Sequence, residues 1–165
     1  MAFARNGRAD NFLAFFEQEL HPQIVSRFNV APERAALFGH SYGGLFTLYA
    51  FTSGTRLFDK YCAASPGLLD PDTTIFTRYR ALAAGSKHGR GATDLYIALA
   101  DLEITGSLEI YRVLGANTLR FIDLIEKEPL PGLRFGRSIV QDETHFSTVF
   151  EAFRRFIRFS FATQA

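Results

Sequence analysis

Apolar residues follow two rhythms along this 165-residue chain. Three short apolar runs, at about 34–38, 60–65 and 95–100, have the density expected of strands buried on both faces, and 133–140 reads as a fourth strand. Between and around them the spacing becomes helical. Leu13, Phe16, Leu20 and Ile24 mark a helix over 11–28, with Pro22 inside it predicting a kink or two shorter helices. Further helices are expected at 43–53, closing at Gly54, at 73–84 behind the Thr73-Thr74 cap, and at 117–127, halted by Pro129. Phe150, Phe153, Phe156, Phe159 and Phe161 form a last helical stripe, expected to pack on a sheet. Turns or loops are read at 29–33, where Pro32 pushes Ala31 out of helical geometry, at 85–93 and at 141–145. Strands alternating with helices imply right-handed βαβ units. The expected fold is α/β: a mainly parallel sheet of about four strands with helices on both faces. One domain over 1–165 is expected, with 1–10 as a candidate flexible arm.

Composition narrows the partners more than the fold. A formal net charge of +1, with 21% charged residues, gives no reason to expect nucleic acid or an anionic membrane. No run approaches the roughly 20 apolar residues of a membrane span. Residues 1–8 are too polar and too short for a signal peptide. Cys62 is the single cysteine, within an apolar run, so no internal disulfide forms and a reducing, cytoplasmic setting is the default. No Cys/His cluster or phosphate-cradling glycine loop is present, so neither metal nor cofactor is expected.

The chemistry concentrates at Gly39-His40-Ser41-Tyr42-Gly43. A bare Gly-x-Ser-x-Gly occurs by chance in roughly one chain of this length in twenty, so the setting decides its meaning. Here a strand is expected before it and a helix after it, the arrangement of a nucleophile elbow. Such a turn lifts a serine hydroxyl out of the sheet. Gly39 and Gly43 are expected where Cβ atoms would meet neighbouring backbone, and the Tyr42 backbone N–H is expected to face an oxyanion beside Ser41. Functional groups of open α/β sheets gather at the carboxyl ends of strands. Asp101 and Glu103 follow the third strand, and His145 follows the fourth. The order Ser…acid…His is that of the α/β-hydrolases. Ser41 is then the nucleophile, His145 the base, and Glu103 the favoured acid, with Asp101 second and an acid-free Ser–His pair as a further alternative. His40 is expected to line the pocket or pack, His21 to be exposed or structural, and His88 to be solvated.

These residues resemble the esterase family of α/β-hydrolases that includes the enterobactin and salmochelin esterases and relates to the esterase D group. The matching stretches are Val30-Ala31-Pro32-Glu33-Arg34, Gly39 to Phe46, Ala63-Ala64-Ser65-Pro66, Ala100-Asp101-Leu102-Glu103 and Glu143-Thr144-His145. The resemblance implies hydrolysis of small carboxylic esters, siderophore-type esters among them, through an acyl-Ser41 intermediate. Its Gly-x-x-Glu pattern after the third strand supports Glu103, with Ala100 in place of the glycine. It also implies that the chain corresponds to the carboxyl half of the fold. One side of the elbow strand would then be left open, to be covered by a second copy, an amino-terminal half or a rearranged 1–10 arm, and one oxyanion donor would be missing. Acyl transfer by the same groups, and a non-catalytic binding or assembly module, are the alternative functions.

Overall fold

The computed structural model describes residues 8–31, 35–70, 73–85 and 92–162. The turn at Pro32, most of the 85–93 loop with His88, and all but the end of the expected arm lie outside the described residues.

Four strands, β1 (Ala35–His40), β2 (Phe58–Ala64), β3 (Thr93–Ala100) and β4 (Leu133–Val140), form one sheet in the order β1-β2-β3-β4. Every neighbouring pair is parallel. Alternate residues therefore face opposite layers. Tyr61, Ala63, Leu95, Ile97 and Leu99 point into the larger core with Leu48, Phe51, Tyr79 and Phe121. Cys62, Ala64, Tyr96 and Ala98 point the other way, against Ala152 and Phe156. The larger core is closed by α3 (Tyr42–Ser53), α4 (Thr74–Gly85) and α6 (Glu109–Lys127), the smaller by α7 (Thr148–Phe161). All eight residues of β3 are buried, as suits a strand with partners on both sides and helices on both faces. β1 is an edge strand: among the described residues only β2 pairs with it.

The first helical segment divides where proline requires it. α1 (Ala9–Phe15) runs into a π-helical turn, Phe16–Leu20, and then α2 (His21–Arg27). Pro22 has no N–H and its ring crowds the carbonyl one turn back, so the ladder widens to accommodate it. The His21 N–H accordingly reaches the Phe16 carbonyl, five residues back.

Two expectations are corrected. α6 begins at Glu109, eight residues before the expected start, because Gly115 lies inside the helix rather than interrupting it. The terminal phenylalanines do not share one buried face. Phe156 is buried, while Phe150, Phe153 and Phe161 are exposed. A three-residue step falls about 60° short of a full helical turn, so Phe150 to Phe159 wind around α7, with Phe161 only two residues further on. Phe153 meets Phe38 edge-on, with ring centroids 5.2 Å apart, beside the edge strand. Among the described residues no helix is long and apolar enough to cross a membrane.

Candidate active site

β1 ends at His40, and α3 begins at Tyr42. Ser41 alone makes the corner, with φ 56° and ψ −119°. A non-glycine residue there costs about 1–3 kcal/mol and persists only where its surroundings hold it. Backbone bonds do so: the Ser41 N–H donates to the Ala64 carbonyl at 3.0 Å, while the Ser41 carbonyl accepts from Gly67 and Leu45. Tyr42 opens the helix, so its N–H is one of the donors a helix leaves without an internal acceptor.

The expectation for the elbow glycines holds for Gly39 and fails for Gly43. A Cβ on Gly39 would stand 2.0 Å from the Gly43 carbonyl oxygen, whereas one on Gly43 would meet nothing within 4 Å. Gly44 is the second crowded position, 2.9 Å from the Ala64 carbonyl oxygen. It lets α3 sit directly on the end of β2.

Three loops bring their polar side chains together. His145 Nε2 lies 3.0 Å from Ser41 Oγ, and His145 Nδ1 lies 2.5 Å from Glu103 Oε1. The hydroxyl donating to Nε2 and Nδ1–H donating to the carboxylate is the protonation pattern that satisfies every group. Glu103 sits on the one-turn helix α5 (Leu102–Thr105), fully buried. Its second oxygen accepts from Ser65 Oγ at 2.8 Å and from the Ala100 N–H at 2.9 Å. A buried carboxylate is tolerated only when its oxygens are bonded in this way. Gly115 allows α6 to pass over it, since a Cβ there would stand 2.4 Å from the Glu103 carbonyl oxygen.

Asp101 is engaged elsewhere. Its Oδ1 accepts from the N–H of Leu102 at 2.9 Å and of Glu143 at 3.2 Å, capping α5 and tethering the histidine loop. Thr144 and Ser147 stiffen that loop reciprocally, each backbone N–H donating to the other's hydroxyl oxygen. His40 Nε2 donates to the His145 carbonyl at 2.6 Å, so its side chain joins the elbow to the histidine loop. Burial holds the His40 pKa below its ordinary value, with the bond to His145 working in the opposite direction. His40 is therefore a neutral strut under the triad rather than a group aimed at Ser41.

Sequence reasoning missed three contributors. They are Ser65, which enters the sequence reading only through the resemblance, Gly115 and Tyr111. Tyr111 stacks on the His145 ring, with centroids 4.6 Å apart and planes within 16°. Ser65 follows a strand at the same sheet rim and has φ 42°, a signal of a functional corner visible only in the structure.

A parallel sheet with a strained serine between strand and helix, facing a histidine backed by a buried glutamate, defines an α/β-hydrolase fold with a Ser-His-Glu arrangement. The family described as Putative esterase matches residues 2–106, and the chain belongs to it. Among curated relatives, a siderophore enterobactin esterase of Emericella nidulans is 40% identical over 83 residues, 49% of this chain and 27% of the relative. A siderophore triacetylfusarinine C esterase of Aspergillus fumigatus is 46% identical over 63 residues, 38% of this chain and 22% of the relative. The solved siderophore hydrolase EstB from Aspergillus nidulans superposes with a TM-score of 0.77 at 27% identity, covering 92% of this chain and 57% of that one. The chain thus spans little more than half of that structure and about a quarter of the two curated relatives.

Proposed function

We propose that the chain is a serine esterase that cleaves small carboxylic esters, siderophore-type esters among them, through an acyl-Ser41 intermediate. The observation that carries this is the unbroken relay from Ser41 Oγ through His145 to the buried Glu103. Ser41 Oγ attacks the ester carbonyl carbon and its proton passes to His145 Nε2. The carbonyl oxygen becomes an oxyanion beside the Tyr42 N–H. Collapse breaks the bond to the alcohol oxygen, which leaves with the proton from Nε2. Water then attacks the acyl carbon, giving a proton to the same nitrogen, and the second collapse breaks the bond to Ser41 Oγ, which takes that proton back as the acid is released. Glu103 holds the proton on Nδ1 and stabilises the imidazolium. The names of the relatives, a siderophore enterobactin esterase and a siderophore triacetylfusarinine C esterase, support the substrate class. The single, buried cysteine goes with a reducing, cytoplasmic setting.

A fluorophosphonate probe tests the reading. It predicts label on Ser41, abolished in Ser41→Ala and strongly reduced in His145→Ala. A folded protein that takes no label would instead be a binding module. Product analysis with added alcohol separates hydrolysis from acyl transfer.

The partner of β1 belongs to the same proposal. Its free edge and the exposed Phe153 of α7 that meets Phe38 would be covered by an amino-terminal portion of a hydrolase chain. The share of EstB left unmatched supports this. Covering would also be the source of a second oxyanion donor, whose loss typically costs about 10²–10³ in kcat. Light scattering and hydrogen exchange test it: a stable monomer with 35–40 unprotected leaves the edge uncovered, and a dimer assigns it to a second copy.

A further inference from the structure

His145 is also a wall of a cleft of about 420 Å³ between α5, the start of α6 and the histidine loop. Tyr111 forms its floor against the imidazole, and Phe146 stands edge-on to both rings, with centroids 5.3 Å from His145 and 6.2 Å from Tyr111. Leu108 and Phe146 border it while remaining 61% and 69% exposed, and Leu102 is 42% exposed beside them. Large apolar side chains gathered around a reactive group, rather than scattered singly, mark a binding surface. Among the described residues lining it there is no aspartate, glutamate, lysine or arginine.

The reaction assigns this cleft a place. The alcohol leaves with the proton from His145 Nε2, so its oxygen must come within hydrogen-bond reach of that atom. The substituent on that oxygen then lies against whatever borders the imidazole. The oxyanion is fixed separately, at the start of α3. We propose that this cleft is the alcohol subsite, selecting esters whose alcohol is uncharged and apolar, aromatic by preference, over esters of charged alcohols. The inference rests on the esterase reading and adds to it the leaving group and the residues, Phe146, Leu108 and Tyr111, that choose it.

The test compares kcat/KM for benzyl, ethyl and choline butyrates, which share one acyl-enzyme and differ only in the leaving alcohol. Burying a phenyl ring predicts a benzyl-over-ethyl preference of about 10- to 100-fold, with the choline ester poorest. Phe146→Ala should cut the benzyl-over-ethyl ratio by about tenfold, given what the loss of one aromatic wall removes. Leu108→Asp should raise the choline ester relative to the benzyl ester. Both positions are exposed, so folding is not at stake. Phe28→Ala, exposed just after α2 and outside the cleft, should leave the ratios unchanged. Equal rates for the three esters, or ratios unmoved by Phe146→Ala and Leu108→Asp, would overturn the subsite. Fluorophosphonate labelling is run alongside, because fluoride makes no use of an alcohol pocket. Label without alcohol discrimination sinks this inference alone, whereas absence of label sinks the esterase reading and the subsite with it.

Discussion

Glu103→Gln isolates the carboxylate while keeping its shape. The native side chain faces only donors: His145 Nδ1–H on Oε1, with Ser65 Oγ–H and the Ala100 N–H on Oε2. Glutamine supplies one acceptor and one NH₂, so it cannot satisfy both sides. With its oxygen towards His145, the NH₂ confronts the Ala100 N–H, which cannot rotate, and a buried orphaned donor costs about 1–3 kcal/mol. With its oxygen towards Ala100 and Ser65, every bond survives only if Nδ1 becomes an acceptor. The imidazole proton then sits on Nε2, facing Ser41, and the base is lost. The second state is the ground state. Reaction through the first therefore pays about 10- to 100-fold before any loss of imidazolium stabilisation. The wrong tautomer in serine proteases costs about 10⁴ in kcat, so the expected loss here is about 10³–10⁴, or roughly 4–5.5 kcal/mol at 1.36 kcal/mol per tenfold. Stability should move little, with Tm changing by a few degrees at the usual 2–4 °C per kcal/mol for a chain of about this length. The assay is kcat/KM on a chromogenic ester, with the phosphonylation rate and Tm of the same preparations. Asp101→Asn serves as contrast, since asparagine also caps and should leave kcat/KM within about threefold. A folded Glu103→Gln protein with less than a tenfold loss, or an equal loss in Asp101→Asn, would refute the assignment of the acid.

Three further outcomes follow from the same geometry. Gly39→Ala places a methyl group 2.0 Å from a carbonyl oxygen and should lower stability by at least about 1–3 kcal/mol, while Gly43→Ala meets open space in a helix and should raise it by up to about 1 kcal/mol; thermal denaturation of the pair separates them, and equal Tm values would contradict the packing described. Burial depresses the His40 pKa, so the folded state binds fewer protons than the unfolded one, and this contribution to stability is present above about pH 6.5 and lost as pH falls through the folded pKa. Wild type should therefore lose more stability in urea titrations between about pH 7.5 and 5 than His40→Gln does, and identical losses would remove His40 as the strut. Burial pushes the Cys62 thiol well above its ordinary range, so a thiol reagent should not react in the folded protein and should react fully once it is unfolded; prompt reaction in the native state would show that the β2 core opens.

The elbow was legible because its chemistry is local. Strand, serine and helix are consecutive, and the Ser…acid…His order needs only the rule that strands end on one rim. Asp101 and Glu103 could not be separated in sequence, because both lie within three residues of the β3 end. Only coordinates show that the shorter side chain turns back to cap α5 while the longer one reaches beneath His145. Gly115 reads as a helix breaker, yet the helix needs it where the backbone passes Glu103. The terminal phenylalanines look like one stripe because three-residue steps mimic helical spacing over a turn and drift out of phase over three such steps.

Sequence by itself determined the order of elements, the alternation of apolar and polar positions and the serine at the strand-to-helix corner. Each is set by neighbours along the chain, through hydrogen-bond periodicity and the steric limits of turns. Tertiary structure decided which carboxylate serves the histidine, what holds that carboxylate, and which apolar residues border the imidazole. Several of those contacts join residues 34 to 105 positions apart, such as Tyr111 with His145, Ser65 with Glu103 and His40 with His145. The parallel register of the sheet brings them to one rim, and no local pattern encodes a distance across it.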